Sequence, residues 1–368
     1  MVEFEGRWLL FVCLNVLAAT NAAVAAAACR GSRDGVMAFL ATAITLLLGE
    51  IILVETMLGV MGVLTSGASL AALLVILVAL VGCGRDGIST IFAELRERVR
   101  ATLSIRARKG SAIPAVLALW ITVALAIQAL AEPSTFPDTL SYHLPEVVSW
   151  IHARAIVPIQ VPASDPSNTY FPTSGGLLYF WMVAPFGSDL TVRLTNLPMW
   201  LALALGLVRL ARLWGASRNA AVIATVLFSF TPIVLAEATE TALDVASAAA
   251  FVLALGHLYR FSEDRRFESA LLFAIASGVF LGVKYSAPAY AVILGIGFGL
   301  VLVGMVRRRR LSARMALGWS CVFAVTVLGL GGYGYVRNAI ATGNPMYPVR
   351  ISVAGLDLPG LYEGTFYR

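Results

Sequence analysis

Ten apolar runs divide the chain, at about 8–29, 36–62, 68–83, 112–131, 190–211, 219–236, 241–260, 268–283, 287–306 and 315–335. Each meets or approaches the roughly 20 residues that carry a helix across about 30 Å of hydrocarbon. In lipid a spanning segment has to bond its own backbone polar groups, which a helix does internally. The expected fold is therefore an all-α, polytopic transmembrane helix bundle of about ten spans. Only 13% of the 368 residues are charged and 59% are hydrophobic, against about 25% charged in soluble domains, so a soluble globular fold is excluded. Residues 176–186 (GLLYFWMVAPF) are apolar but eleven residues long, too short to cross as a helix, and are expected to be re-entrant or interfacial.

The positive charges assign an orientation. Lys and Arg in short loops collect on the cytoplasmic side, and the loop 84–111 holds seven of them: Arg85, Arg96, Arg98, Arg100, Arg106, Arg108 and Lys109. With that loop inside and the others alternating, Arg30, Arg33, Arg209, Arg212, Arg218, Arg260, Arg265, Arg266, the run Arg307 to Arg310, and Arg314 also fall inside. That places 20 of the 27 basic residues on one side. Both termini come out extracytoplasmic, and the protein is expected in a bacterial cytoplasmic (inner) membrane. The net charge of +6 is thus a topological signal, and no nucleic-acid partner is expected. Ile88, Phe92, Leu95, Val99 and Leu103 recur at helical spacing between arginines, which describes an amphipathic helix lying on an anionic lipid surface. The N-terminus has Glu3 and Glu5 before the first run and lacks a basic n-region, so that span is expected to be permanent. Cys13, Cys29, Cys83 and Cys321 lie in or beside apolar runs without a CxxC pair, so neither a disulfide framework nor a zinc site is expected.

The polar material on the outer side is concentrated in the loop 132–189 and the segment after 337. Loops of more than about 12–15 residues usually carry a function. The loop opens EPSTFPDTLSYHLPEVVSWI, where Leu144, Val147, Val148 and Ile151 line one helical face and Asp138 sits at the helix start. An Asp there is either an N-cap or a catalytic base, and position alone does not separate the two. The turn AEATETALD supplies Glu237, Glu240 and Asp244, with Asp244 about a turn into an apolar run, where an acid needs a cavity or a partner. Lys284, in GVKYS with Tyr285, is one of two lysines beside 25 arginines. It reads either as a compact charge for phosphate or as a snorkelling helix-end lysine. Arg337, followed by Asn338, has the forked donors for a diphosphate or carboxylate, or is an interfacial anchor beside Tyr333 and Tyr335. Tyr142, Trp150, Tyr170, Phe171, Tyr179 and Trp181 are expected to seat the loop in the interface, with stacking on sugar rings as the alternative. Carboxylates, a lysine and an arginine on one side suit chemistry on an anionic lipid head group: a base for an acceptor hydroxyl and cations for a departing phosphate.

PDTLSYHLPEVVSWI, YFPTSGGLLY, ETALDVASAAAF, GVKYS and YGYVRNAIATGNPMYP, in this order and on a common side, resemble the GT-C class of integral-membrane glycosyltransferases, which includes protein O-mannosyltransferases and aminoarabinose transferases. The resemblance covers about 112–350. It divides the chain into an N-terminal three-span extension (1–83), a cytoplasmic basic amphipathic helix (84–111), the GT-C-like core with its long outer loop, and an extracytoplasmic tail (351–368). It implies a polyprenyl-phosphate sugar donor, inverting transfer, Asp138 as base or metal partner, and Lys284 with Arg337 on the donor phosphate. Tyr142, His143, Glu237, Glu240, Asp244, Tyr285 and Asn338 are the remaining cavity candidates. His143 or Glu240 is the residue that would complete a divalent metal site with Asp138. Two departures are plain: Asp138 is followed by Thr139 where many members carry an acidic pair, and the chain stops at FYR where members continue. The expectations from that ending are a fragment, a reduced enzyme, or a non-catalytic membrane subunit of a larger complex. Glu50 and Glu55, acids within the second span, are expected to face a bundle interior or a partner subunit. A transporter ranks behind both, because no repeated halves are visible.

Overall fold

The computed structural model describes residues 2–29, 35–83, 96–97, 112–159, 166–353 and 355–361. The chain is an all-helical bundle of a multi-pass membrane protein. Its helices are α1 (Val2–Ala28), α2 (Val36–Val60), α3 (Ser66–Cys83), α4 (Ala112–Ala131), α5 (Leu144–Ala153), α6 (Ser174–Val183), α7 (Asn196–Leu213), α8 (Arg218–Ser229), α9 (Pro232–Ala238), α10 (Asp244–Asp264), α11 (Phe267–Val283), α12 (Ala287–Arg307), α13 (Ala313–Gly331) and α14 (Tyr333–Thr342). Six of the described helices are long and apolar enough to cross a membrane, or seven if α8 and α9 form one broken span. α3, α4 and α11 coincide with expected spans but are shorter apolar helices. The expected amphipathic face of Ile88, Phe92, Leu95, Val99 and Leu103, and the loop of Arg30 and Arg33, lie outside the described residues.

Local chemistry sets several helix ends. Ser217 and Ser312 cap α8 and α13, their hydroxyls accepting from the amides of Ala220 and Met315 at 3.2 Å each. Pro232 follows Thr231 at the first position of α9; proline lacks the amide a continuing helix would use, and the two helices meet at 74°. After α14 the chain turns at Asn344, whose amide nitrogen donates to the carbonyls of Val349 and Pro359, 2.7 Å each. This folds back a small antiparallel hairpin, Ile351–Val353 with Leu356–Leu358, in the register Ile351 to Leu358. The hydropathy pattern contained no sign of it.

One continuous core joins α1–α3 to α6, α7 and α10–α13, through Leu14, Ile52, Leu73, Trp181, Leu203, Leu253, Phe273 and Leu330. The three N-terminal helices are therefore built into the bundle. Glu55 is fully buried and Glu50 accepts a hydrogen bond from Asn21 at 2.7 Å. Glu55 thus faces the bundle interior, both of its carboxyl oxygens being buried without a hydrogen bond, and Glu50 is partly buried.

Glycines draw α11 and α13 together. A Cβ on Gly282 would lie 2.9 Å from the Cα of Gly331, and one on Gly278 would lie 3.1 Å from the Cα of Val327. Small residues four apart are the usual means by which membrane helices approach backbone to backbone. Because backbone atoms cannot move aside, Gly282→Val is expected to destabilise the bundle by about 3 kcal/mol, the upper end of ordinary overpacking. A melting temperature of the detergent-solubilised variant equal to that of the wild type would refute this packing. Gly282 lies two residues before Lys284, so the same contact fixes one side of the site.

A second core cluster underlies the long loop: Leu64, Val147, Trp150, Ile156, Leu177, Tyr179, Phe180, Val183 and Val192. Trp150, Tyr179 and Trp181, expected at the membrane interface, are buried protein core instead. The indole of Trp150 donates to the Val157 carbonyl at 2.9 Å. α6 is likewise enclosed, nine of its ten residues being buried, so its apolar character serves packing.

Candidate functional site

The helix that follows Pro137 contains a π-helical turn, Thr139–His143, before it continues as α5. Such turns insert a residue, re-aim the side chains that follow, and are frequent at functional sites. Asp138 has helical backbone angles and its carboxylate makes no capping hydrogen bond, so the N-cap alternative does not hold. The carboxylate accepts instead from the Tyr142 hydroxyl at 3.1 Å. With Glu146 four residues further, these side chains form a row along one face of the helix.

Opposite this row stand the ends of two bundle helices. Asp244 is the first residue of α10 and Lys284 closes α11 in an extended conformation. Their side chains form an ion pair, and the carboxylate at a helix N-terminus is further favoured by the helix dipole. Asp244 does not sit a turn deep in an apolar run as expected: its side chain is 55% exposed, so it carries no burial cost.

Between the row and the pair lies a cavity of about 330 Å³, lined by Asp138, Tyr142, His143, Glu146, Phe171, Asp244, Lys284 and Tyr285 among others. That is near the lower end for small-ligand sites, which run about 300–1,000 Å³. Phe171 stacks on Tyr285 at 5.7 Å and meets Tyr142 edge-on at 5.5 Å, giving the cavity an aromatic wall. Burial separates its polar groups into two sets. Asp138 and Asp244 are exposed and Lys284 partly so, whereas His143 and Glu146 are buried. Burial, aided by the Lys284 ammonium, pushes His143 down to about 3, so its ring is neutral at physiological pH. Burial pushes Glu146 up to about 8, the opposing pull of Arg337 notwithstanding, so it is largely a neutral carboxylic acid at pH 7. Tyr142 is raised by burial and by Asp138 and remains a phenol that can donate.

Six of the residues singled out in the sequence thus meet in one cavity: Asp138, Tyr142, His143, Asp244, Lys284 and Tyr285. Four others stand outside its lining. Glu237 is close enough to feel Asp244 and Lys284 electrostatically without lining the cavity. Arg337 donates to the Phe171 carbonyl at 3.2 Å and to the Asn338 side chain, while its Nη1 is buried without a hydrogen bond. Asn338 is buried, its amide bridging the carbonyls of Tyr170 and Tyr347 at 2.8 and 3.1 Å, which is structural work. Glu240 belongs to another network: it pairs with Arg193 at 3.0 Å and accepts from Ser134 at 3.2 Å.

Glu240, held by Arg193 and Ser134, does not join Asp138 and His143, which both line the cavity. Among the described residues no three or more His, Cys, Asp or Glu side chains are grouped to hold an ion.

Glu146 was not singled out in the sequence, although its spacing of four from Asp138 through Tyr142 is a legible signal, because the apolar face of the same helix is the stronger pattern. Arg193 had no local signal, since its partners Glu132 and Glu240 come from distant segments.

Comparison with known proteins returned no matching family model, no matching curated protein and no matching solved structure, so the chemistry of the cavity is argued from its own residues.

Proposed function

We propose that the chain is a membrane glycosyltransferase of GT-C-like architecture that moves a sugar from a polyprenyl-phosphate donor to an acceptor on the extracytoplasmic face of a bacterial cytoplasmic membrane. In this reading the six long helices, the bent pair and the shorter α3, α4 and α11 make ten crossings, and both termini are extracytoplasmic. The observation that carries it is the single cavity shared by Asp138, Lys284 and an aromatic wall, at the ends of the bundle helices.

The chemistry follows from the two rim charges. Asp138 accepts the proton of the acceptor hydroxyl as its oxygen attacks the anomeric carbon. The bond from that carbon to the phosphate oxygen breaks, and the electron pair leaves with the polyprenyl phosphate. Lys284 offsets the charge that develops on the leaving oxygen. For this, the donor phosphate has to share the ammonium with Asp244. Attack and departure occur on opposite faces of the carbon, so the configuration inverts. In this reading Asp138 acts as the base. Arg337 acts as a positioning residue through the Phe171 carbonyl.

The test is release of polyprenyl phosphate from labelled lipid-linked hexoses and pentoses by the full chain in lipid nanodiscs, with peptide, lipid and glycan acceptors supplied. Release that depends on both protein and acceptor is expected for one donor class. Failure with every donor would overturn the reading.

A further inference from the structure

Two polar groups stand on the inner wall of the cavity. The buried Nδ1 of His143 has no hydrogen bond. Glu146 is 8% exposed, and burial and the charge of Arg337 are what act on its carboxyl. An unsatisfied buried polar group is costly, so the open Nδ1 beside a cavity-lining carboxyl points to a ligand that bonds to both. The fold makes room for this arrangement. A Cβ at position 176 would lie 2.8 Å from the Glu146 carboxyl, and glycine there lets the acid lie against α6. All of the fully exposed charge is at the rim.

We propose that Glu146 and His143 form a subsite for an uncharged, hydroxyl-rich ring, a pyranose or furanose, which rests against Phe171 and Tyr285 while its phosphate stays at the rim on Lys284. This rests on the glycosyl-transfer reading of the cavity and adds to it the direction in which the donor enters. Sugar hydroxyls are donors and acceptors at once, so they match a neutral acid, which offers both, and a neutral imidazole with an open ring nitrogen. Phosphate would bring a second negative charge against a buried carboxyl, and Arg337, the cation that acts on Glu146, is not among the lining residues. The charged and titratable groups around Glu146 are Asp138 and Tyr142 on its own helix, Asp244 and Lys284 across the cavity, and Arg337 from α14. A sugar that covers Glu146 removes its remaining water and makes ionisation costlier. Proton and sugar are therefore retained together, and affinity falls as pH rises past about 8.

The experiment is saturation-transfer NMR of the full chain in nanodiscs with methyl glucoside, mannoside, galactoside and arabinoside, and in parallel with inorganic phosphate. Wild type is expected to bind at least one glycoside about tenfold more tightly at pH 6.5 than at pH 9.5. Glu146→Gln keeps a neutral donor and acceptor of the same shape; it should bind at both pH values with no such difference. Glu146→Ala should weaken glycoside binding about five- to tenfold, as expected for a lost ligand hydrogen bond, with melting temperatures confirming that both variants fold. Phosphate should depend on Lys284, measured with Lys284→Ala. No glycoside bound by wild type, unchanged binding in Glu146→Ala, or the same pH dependence in Glu146→Gln would each overturn the subsite. Failure of transfer with glycoside binding intact would instead remove the glycosyltransferase reading and leave a sugar-binding cavity.

Discussion

Asp138→Asn is expected to slow transfer by about 10²- to 10⁴-fold, the usual contribution of a positioned general base. Asparagine preserves the size of the side chain and can still accept the Tyr142 hydroxyl, which lies 3.1 Å from the carboxylate. It cannot take up a proton. The loss should therefore fall on kcat, with KM for the lipid donor little changed, because Asp138 is exposed at the rim and the phosphate is assigned to Lys284. Single-turnover assays in nanodiscs separate the two. Transfer by Asp138→Asn at more than a tenth of the wild-type rate would remove Asp138 as the base, and a rise in KM alone would recast it as a binding residue.

A loss of stability as large as that of Gly282→Val is expected at Arg193. Its guanidinium is 4% exposed and reaches Glu240 at 3.0 Å and Glu132 at 3.4 Å. It also donates to the carbonyls of Thr239 and Glu132 at 2.7 and 2.8 Å. Glu132 is 60% exposed, so that ion pair adds little. Glu240, 24% exposed, and the two carbonyls are the groups that Arg193→Leu would strand. Breaking such a buried pair by removing one partner costs about 3–5 kcal/mol, and about 3 kcal/mol is expected here because Glu240 retains some water. Chemical denaturation in detergent measures it; a loss below about 1 kcal/mol would show the network to be dispensable. Arg193 ties the end of α4 to the turn before α10, and Asp138 begins six residues after Glu132. The folded variant should therefore also lose transfer, through a displaced base, whereas Gly282→Val acts on the Lys284 side.

Hydropathy located the helices because the property that selects them is additive along a single run: enough consecutive apolar residues, and a backbone that must bond itself. The same locality explains why several of the singled-out residues meet at the cavity. Asp138, Asp244 and Lys284 all lie where apolar runs end, and topology brings such ends together. Residues whose roles depend on distant partners were not legible in this way. Glu240 pairs with Arg193, Arg337 donates to the Phe171 carbonyl while its Nη1 is buried without a partner, and Trp150, Tyr179 and Trp181, which looked interfacial, are buried in the core. Composition cannot tell an aromatic residue that faces lipid from one that faces protein, since both surroundings are apolar.

By itself the sequence determined that this chain is a bundle of apolar helices with a long polar loop, and which acids and cations stand at the helix ends. Those are consequences of solvent preference, which each segment expresses alone. Only the tertiary structure decided which of the charges face one another across a cavity, which are spent on holding loops in place, and that a carboxyl at position 146 lies buried on the cavity wall. These depend on distances between segments that are far apart in the chain, and on desolvation, which exists only once the segments are packed.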